Sequence, residues 1–275
     1  MQPEKHAMTN DHPDMKQPLL FDSPDGKLLL SQWKRRIKCV ATDVDGTLTF
    51  ENAYTDPIFK GCIAPEAYGM IRRLSSVGIQ VVLVSGRPMA TIEGLAMYMG
   101  LVDRGRTERG CPLIAENGAV YKFGGEIIRL AGKAKAERAI EMMQRDGVLP
   151  KDNYLTYDNH LRYCDIGIDS EAAPPEKVSE WVADHRELDV QALTSNIMTH
   201  IVEARVSKAA ALTELIRKMR IKKEEVALFG EFPMSVCVAN YFETVADWKS
   251  RPLPSVRSLL PGGAGFAEVV KAILE

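Results

Sequence analysis

The stretch Ile37-Lys38-Cys39-Val40-Ala41-Thr42-Asp43-Val44-Asp45-Gly46-Thr47 is an apolar run that ends in two acids and a glycine. Such a run reads as a buried β-strand whose carboxyl end opens to solvent. Strand side chains alternate, so Asp43 and Asp45, spaced i and i+2, project the same way. Gly46 permits a sharp turn directly after them. A carboxylate nucleophile beside a second carboxylate that gives and takes a proton is a workable pair for phosphoryl transfer. Two close carboxylates repel, which makes a divalent cation with hard oxygen ligands, Mg²⁺, the expected neutraliser.

The flanking sequence supports that strand. Pro65-Glu-Ala-Tyr-Gly-Met-Ile-Arg-Arg-Leu-Ser-Ser-Val-Gly78 places Ala67, Met70, Ile71, Leu74 and Val77 at helical spacing, with proline at the start and glycine at the end. IQVVLVSG (79–86) is a second buried strand without alternation, as a parallel sheet covered on both faces requires. RPMATIEGLAMYMG is a helix and CPLIAENG a third short strand. This rhythm predicts an α/β fold with an open, mostly parallel, Rossmann-like sheet, whose ligands sit beyond the carboxyl ends of the strands.

From residue 119 the rhythm breaks. AVYKF-GG-EIIRL reads as a hairpin turning at Gly124-Gly125, and alternating strands and two helices follow. The α/β rhythm returns with the helix SKAAALTELIRKM, the strand EVALFG, the strand SVCVAN and a terminal helix. The expected organisation is a tail and lead-in over 1–36, a core of 37–118 with 206–275, and an inserted α+β cap over 119–205.

Composition bounds the function. Of 275 residues, 45% are hydrophobic and 26% charged, as in a folded globular chain. Lys and Arg total 35 against 37 Asp and Glu, a net charge of −2, which argues against nucleic acid as the main partner. Five dispersed cysteines with no C-x-x-C pair read as reduced and packed. There is no apolar run near the roughly 18 residues of a membrane span, and the N-terminus has no apolar signal core. The expectation is a cytoplasmic protein with no membrane partner.

Further residues join the acids. Ser85-Gly86-Arg87 ends the second strand; there Ser85 is a donor and the Gly86 amide faces an anion with no side chain in the way, or Ser85 is only a helix cap. Arg87 meets a substrate carboxylate or phosphate, or makes an ion pair on the surface. Lys208, in a helix first turn, stands against the helix dipole, which suggests an anionic partner. Glu116-Asn117-Gly118 either orients substrate or is a strand-end turn.

In these motifs the chain resembles the haloacid dehalogenase superfamily, whose first motif is D-x-D-G-T-[LV]. The resemblance covers roughly 37–275 and is closest to the large-cap branch of Cof-type, archaeal phosphoglycolate, mannosyl-3-phosphoglycerate and sucrose-phosphate phosphatases. It implies that Asp43 is the nucleophile that becomes aspartyl-phosphate and Asp45 the general acid, then base. It also implies that Thr47 supports the loop, that Ser85, Gly86 and Lys208 hold the phosphate, and that Asp43 with the main-chain carbonyl of Asp45 binds Mg²⁺. Arg87 and Asn117 become candidate substrate contacts. The expected function is a Mg²⁺-dependent phosphatase acting on a small phosphorylated metabolite. The alternatives are a binding protein with poor turnover and a phosphomutase.

The fourth motif departs from the family. After EVALFG the sequence runs Glu231-Phe-Pro-Met-Ser-Val, without the family's aspartates. Glu231 is the acid at that position and the expected third metal ligand. Adjacent parallel strands need a crossover of about a dozen residues. SVCVAN is therefore expected to pair antiparallel or to leave the sheet edge, unless the chain has lost a segment.

Overall fold

The computed structural model describes residues 19–49, 62–101, 110–195, 198–230, 236–239 and 256–275. Among them a nine-stranded sheet runs in the order β1-β12-β11-β10-β2-β3-β4-β5-β6. Its centre is β10 (Val226–Phe229), β2 (Cys39–Asp43), β3 (Gln80–Val84) and β4 (Leu113–Ala115), all parallel. Phe229 pairs with Thr42, Asp43 with Val84, and Val84 with Ile114, so these strands end together on one edge of the sheet. The sequence motifs at those ends are therefore neighbours in space.

Both faces of this sheet are covered, which is why its strands read as continuous apolar runs. Val40, Val81 and Leu83 pack with Ile71 and Leu74 of α2 (Pro65–Ser76), Ile92 of α3 (Met89–Tyr98) and Phe266 and Val269 of α7 (Gly262–Leu274). Cys39, Ala41, Val82 and Val84 face Ala211, Leu212 and Leu215 of α6 (Lys208–Met219). Alternation along β2 thus carries Cys39, Ala41 and Asp43 to the α6 side. The nucleophile candidate is aimed at the start of α6 by strand periodicity alone.

The second unit is a three-stranded antiparallel sheet, β7-β9-β8, formed by β7 (Ile166–Asp169), β8 (Val190–Thr194) and β9 (Met198–Glu203). The helices α4 (Ala134–Arg145) and α5 (Pro175–Asp184) pack on it through Ala139, Ile140, Met143, Val178 and Trp181. Val202, next to Ile201 on β9, joins the main cluster instead, so the opposite face of this sheet is turned to the core.

Four expectations change. The hairpin β5 (Val120–Phe123) and β6 (Glu126–Arg129) extends the large sheet, pairing Leu113 with Lys122 and Val120 with Arg129, rather than belonging to the insert. Gly124 and Gly125 both have positive φ, the geometry that matches a two-residue turn to strand twist. Residues 19–36 are part of the core: β1 (Leu19–Leu20) pairs with β12 (Val256–Pro261), and α1 (Pro24–Lys34), capped by the Ser23 hydroxyl, packs on α7.

The third change concerns β11 (Val236–Ala239), which is parallel to both β10 and β12. Its register with β10 rests on one pair, Phe229 with Val236. Phe229 ends β10 and Val236 begins β11, so the strands are staggered by a full length and the chain has no strand to run back along. That stagger removes the need for a long crossover. The fourth change is β8, a strand absent from the sequence reading.

Glycine decides one close approach where the chain returns from the second unit. Gly118 has φ +101°, and a Cβ there would sit 2.8 Å from the Lys208 amide nitrogen and closer still to the Ser207 carbonyl. The turn that leads into β5 packs here against the chain where it re-enters the large-sheet unit at α6. Gly118→Ala is expected to cost roughly 2–4 kcal/mol through strain and overpacking, read as a lower urea midpoint; an unchanged midpoint would show that this contact has slack.

Candidate active site

Asp43 is the last residue of β2 and 8% exposed. Its Oδ1 accepts from the Val44 amide at 2.9 Å, and its Oδ2 accepts from Lys208 Nζ at 3.0 Å. Burial pushes the Asp43 carboxyl up, Lys208 pulls it back by charge and hydrogen bond, Asp45 adds to the rise, and the Val44 amide lowers it. Lys208 opens α6, whose cap is the Ser207 hydroxyl accepting from the Ala210 amide at 3.0 Å. The anionic partner that the helix dipole demanded is thus Asp43.

The turn after β2 is tied down locally. Gly46, at φ +75°, donates its amide to Thr49 Oγ1 at 2.9 Å. The Thr47 and Leu48 amides both reach the Val44 carbonyl, and Thr47 is buried. Gly230, just past β10, has φ +119°, and a Cβ there would lie 2.8 Å from Asp43 Cβ and 3.5 Å from Thr47 Oγ1. Only glycine lets that strand end pass so close to the nucleophile candidate. Sequence reading used Gly230 as a positional marker and missed this role; its place between a strand and an acid was the available signal.

Ser85, Gly86 and Arg87 lie beside Asp43 at the end of β3. Ser85 is fully buried, and its Oγ accepts from the Arg87 amide at 3.1 Å. Ser85 does not cap α3; that position belongs to Pro88. The Arg87 guanidinium grips Asp45 with both arms, Nε to Oδ2 at 2.9 Å and Nη2 to Oδ1. Of the two roles left open for Arg87, this structure shows the ion pair, and its partner is the acid–base candidate. Asn117, at φ +57°, lies against Gly86, and its Nδ2 is a buried donor with no partner among the described residues.

Glu116 has a structural position that sequence reading left undecided. It is fully buried at positive φ, and its carboxylate accepts from the amides of Tyr163 at 2.9 Å, Cys164 at 2.7 Å and Asp165 at 3.2 Å. Burial and then the nearby Asp165 push its carboxyl up, against the pull of the three amides. Burial pushes the thiols of Cys39, Cys111 and Cys164 up to about 12, which disfavours the reactive thiolate at these three positions.

The donor chemistry suits Mg²⁺. The Asp43 carboxylate and the Asp45 carbonyl are hard oxygens at one strand end, and Mg²⁺ commonly takes one or two protein oxygens and keeps several waters. No cluster of three or more His, Cys, Asp or Glu side chains suited to a metal occurs among the described residues. Glu231, expected as a third ligand, lies outside the described residues.

The family profile of the haloacid dehalogenase-like hydrolases matches residues 40–147. Over that segment this chain is similar to the haloacid dehalogenase-like hydrolases. The phosphoglycolate phosphatase of Methanospirillum hungatei is 28% identical over 247 residues, covering 86% of this chain and 96% of that protein. The phosphoglycolate phosphatase of Metallosphaera sedula is 28% identical over 248 residues, covering 86% and 99%. Among solved structures, protein 0175 of Thermoplasma acidophilum superposes with a TM-score of 0.69 at 21% identity, covering 86% of this chain and 98% of that one. That likeness shows the fold. The haloacid dehalogenase-like hydrolase match spans β2, the two carboxylates and the Ser85–Arg87 loop. No helix among the described residues is long and apolar enough to cross a membrane.

Proposed function

We propose that this chain is a phosphomonoester hydrolase acting on a small, anionic phosphorylated metabolite of the phosphoglycolate kind. The observation that carries this reading is the buried Asp43 carboxylate held 3.0 Å from Lys208 at a shared strand edge with Asp45 and Ser85. The phosphoglycolate phosphatases among its relatives support the substrate class.

In this mechanism an Asp43 carboxylate oxygen attacks phosphorus, the ester P–O bond breaks, and the leaving oxygen takes a proton from Asp45. Asp45 then removes a proton from water, whose oxygen attacks the aspartyl-phosphate; the P–O bond to Asp43 breaks and phosphate leaves. Lys208 and the Ser85–Gly86 segment hold the phosphoryl oxygens, and the Asn117 donor completes its bonding on a substrate oxygen. Arg87 occupies both Asp45 oxygens in this structure, so proton transfer requires it to release at least one, most simply to a substrate anion. Mg²⁺, held by Asp43 and the Asp45 carbonyl, supplies charge neutralisation when bound. The second unit, over roughly 134–203, serves as the cap that shields the reaction from bulk water.

The test is phosphate release from a panel of phosphoglycolate, hexose phosphates and phosphoglycerate derivatives, with Mg²⁺ and with chelator. Metal-dependent release fastest on the small carboxylated ester is expected; no release from any member would sink the reading.

A further inference from the structure

We propose that Arg162 is a positioning residue through which the second unit holds the Gly86–Arg87 peptide and, through it, the Arg87–Asp45 pair. Arg162 lies in the segment between Leu161 and β7, and its side chain is 1% exposed. It is bound to Asp158 at 2.9 Å and to both Asp165 oxygens at 3.0 and 3.1 Å, and His200 completes the cluster on Asp165 at 2.8 Å. Burying such a cluster costs several kcal/mol per ion, and apolar side chains would fill the space at least as stably. Its retention asks for a geometric reason.

That reason is the bond Arg162 sends to the large-sheet unit: Nη1 donates to the Gly86 carbonyl at 3.1 Å. The Gly86 carbonyl and the Arg87 amide belong to one planar peptide group. The Arg87 amide donates to Ser85 Oγ, so the plane is held at one edge by the end of β3 and at the other by the second unit. The next carbonyl, that of Arg87, accepts from the Glu116 amide at 3.0 Å. The Glu116 carboxylate in turn binds the three amides that follow Arg162. Segments 86–87, 116 and 162–165 therefore close a single hydrogen-bonded circuit, from which the Arg87 side chain reaches Asp45. Arg162 makes no bond to Asp43 or Asp45 themselves, so it acts through Arg87.

Arg162→Lys tests this. Lysine keeps the charge opposite Asp158 and Asp165 but lacks the planar fork needed to bind both acids and the Gly86 carbonyl at once. Hydrogen exchange over peptides spanning 83–92 is expected to quicken by about tenfold or more at the Arg87 amide, with β7 and β9 unchanged. With p-nitrophenyl phosphate and Mg²⁺, kcat is expected to fall by about 10- to 100-fold with KM shifted far less, because the loop is misplaced rather than lost. The kinetic arm rests on the phosphatase reading; the exchange arm does not. A wild-type protein that releases no phosphate therefore sinks that reading, while exchange alone decides the role of Arg162. Unchanged exchange at Arg87 overturns the proposal whatever the kinetics. Should Arg162→Lys fail to melt cooperatively, the charge-free combination Asp158→Asn, Arg162→Met, Asp165→Asn replaces it, because it leaves no unpaired buried ion. If that variant also fails to fold, Arg162 is a residue of the fold and the assignment falls.

Discussion

Asp43→Asn is expected to reduce phosphate release by about a thousandfold or more, because an amide cannot form the covalent intermediate on which the mechanism depends. The same substitution is expected to leave the metal-free protein at least as stable as wild type at neutral pH. The sign follows from the direction of the shift. Burial, the largest influence on Asp43, raises its carboxyl above the ordinary range, and Lys208 and the Val44 amide offset that only in part. A carboxyl whose folded-state pKa is raised stabilises the fold below its unfolded value and loses that contribution as pH rises through the folded one. At pH 7 the ionised group is thus a cost that the neutral amide escapes. Melting curves in chelator at pH 7 should place the variant level with or above wild type, with the gap closing as the buffer is acidified. Activity retained within about tenfold would remove Asp43 from the nucleophile's place.

The part of the fold legible in the sequence is the part governed by local periodicity. β2 and β3 are runs buried on both faces, α2 and α6 carry apolar stripes, and the acids follow the strand that the pattern predicts. Site residues at strand ends were legible for the same reason: parallel neighbours bring Asp43, Ser85 and Gly230 to one edge once the sheet exists. Asp43 and Lys208 are 165 positions apart in sequence, and the helix dipole argument shows only that Lys208 wants an anion, not which one.

What escaped was decided by partners distant in the chain. The β5–β6 hairpin has a turn that any antiparallel pair would use, and only its register against β4 assigns it to the large sheet. The β11 stagger depends on where β10 stops relative to where β11 starts, which no periodicity encodes. Glu116 looked like an acid in a turn, because its amide partners at 163–165 lie 47 to 49 residues further on, and the strand-like alternation of LRYCDIGID does not say what those amides meet. Arg162 was passed over for the same reason: the acids and the carbonyl that surround it become neighbours only after both units have folded.

Lys208→Met is expected to cost about a hundred- to a thousandfold in kcat/KM, the scale of removing one preorganised charge donor from a transition state. Methionine keeps an apolar stem of similar length in the partly buried position at the start of α6, so the Ser207 cap and the helix should survive. The substitution also has a pH signature. Lys208 is the largest of the influences that lower the Asp43 carboxyl, acting by both charge and hydrogen bond. Removing it leaves burial and Asp45 opposed only by the Val44 amide, so the Asp43 pKa rises further and the carboxylate appears at higher pH. The acid limb of the kcat/KM profile should therefore move to higher pH in the variant, while a lysine that merely grips the product phosphate would lower the whole profile and leave the limb where it stands. A profile lowered but unshifted would separate Lys208 from the ionisation of Asp43 and assign it to phosphate binding alone.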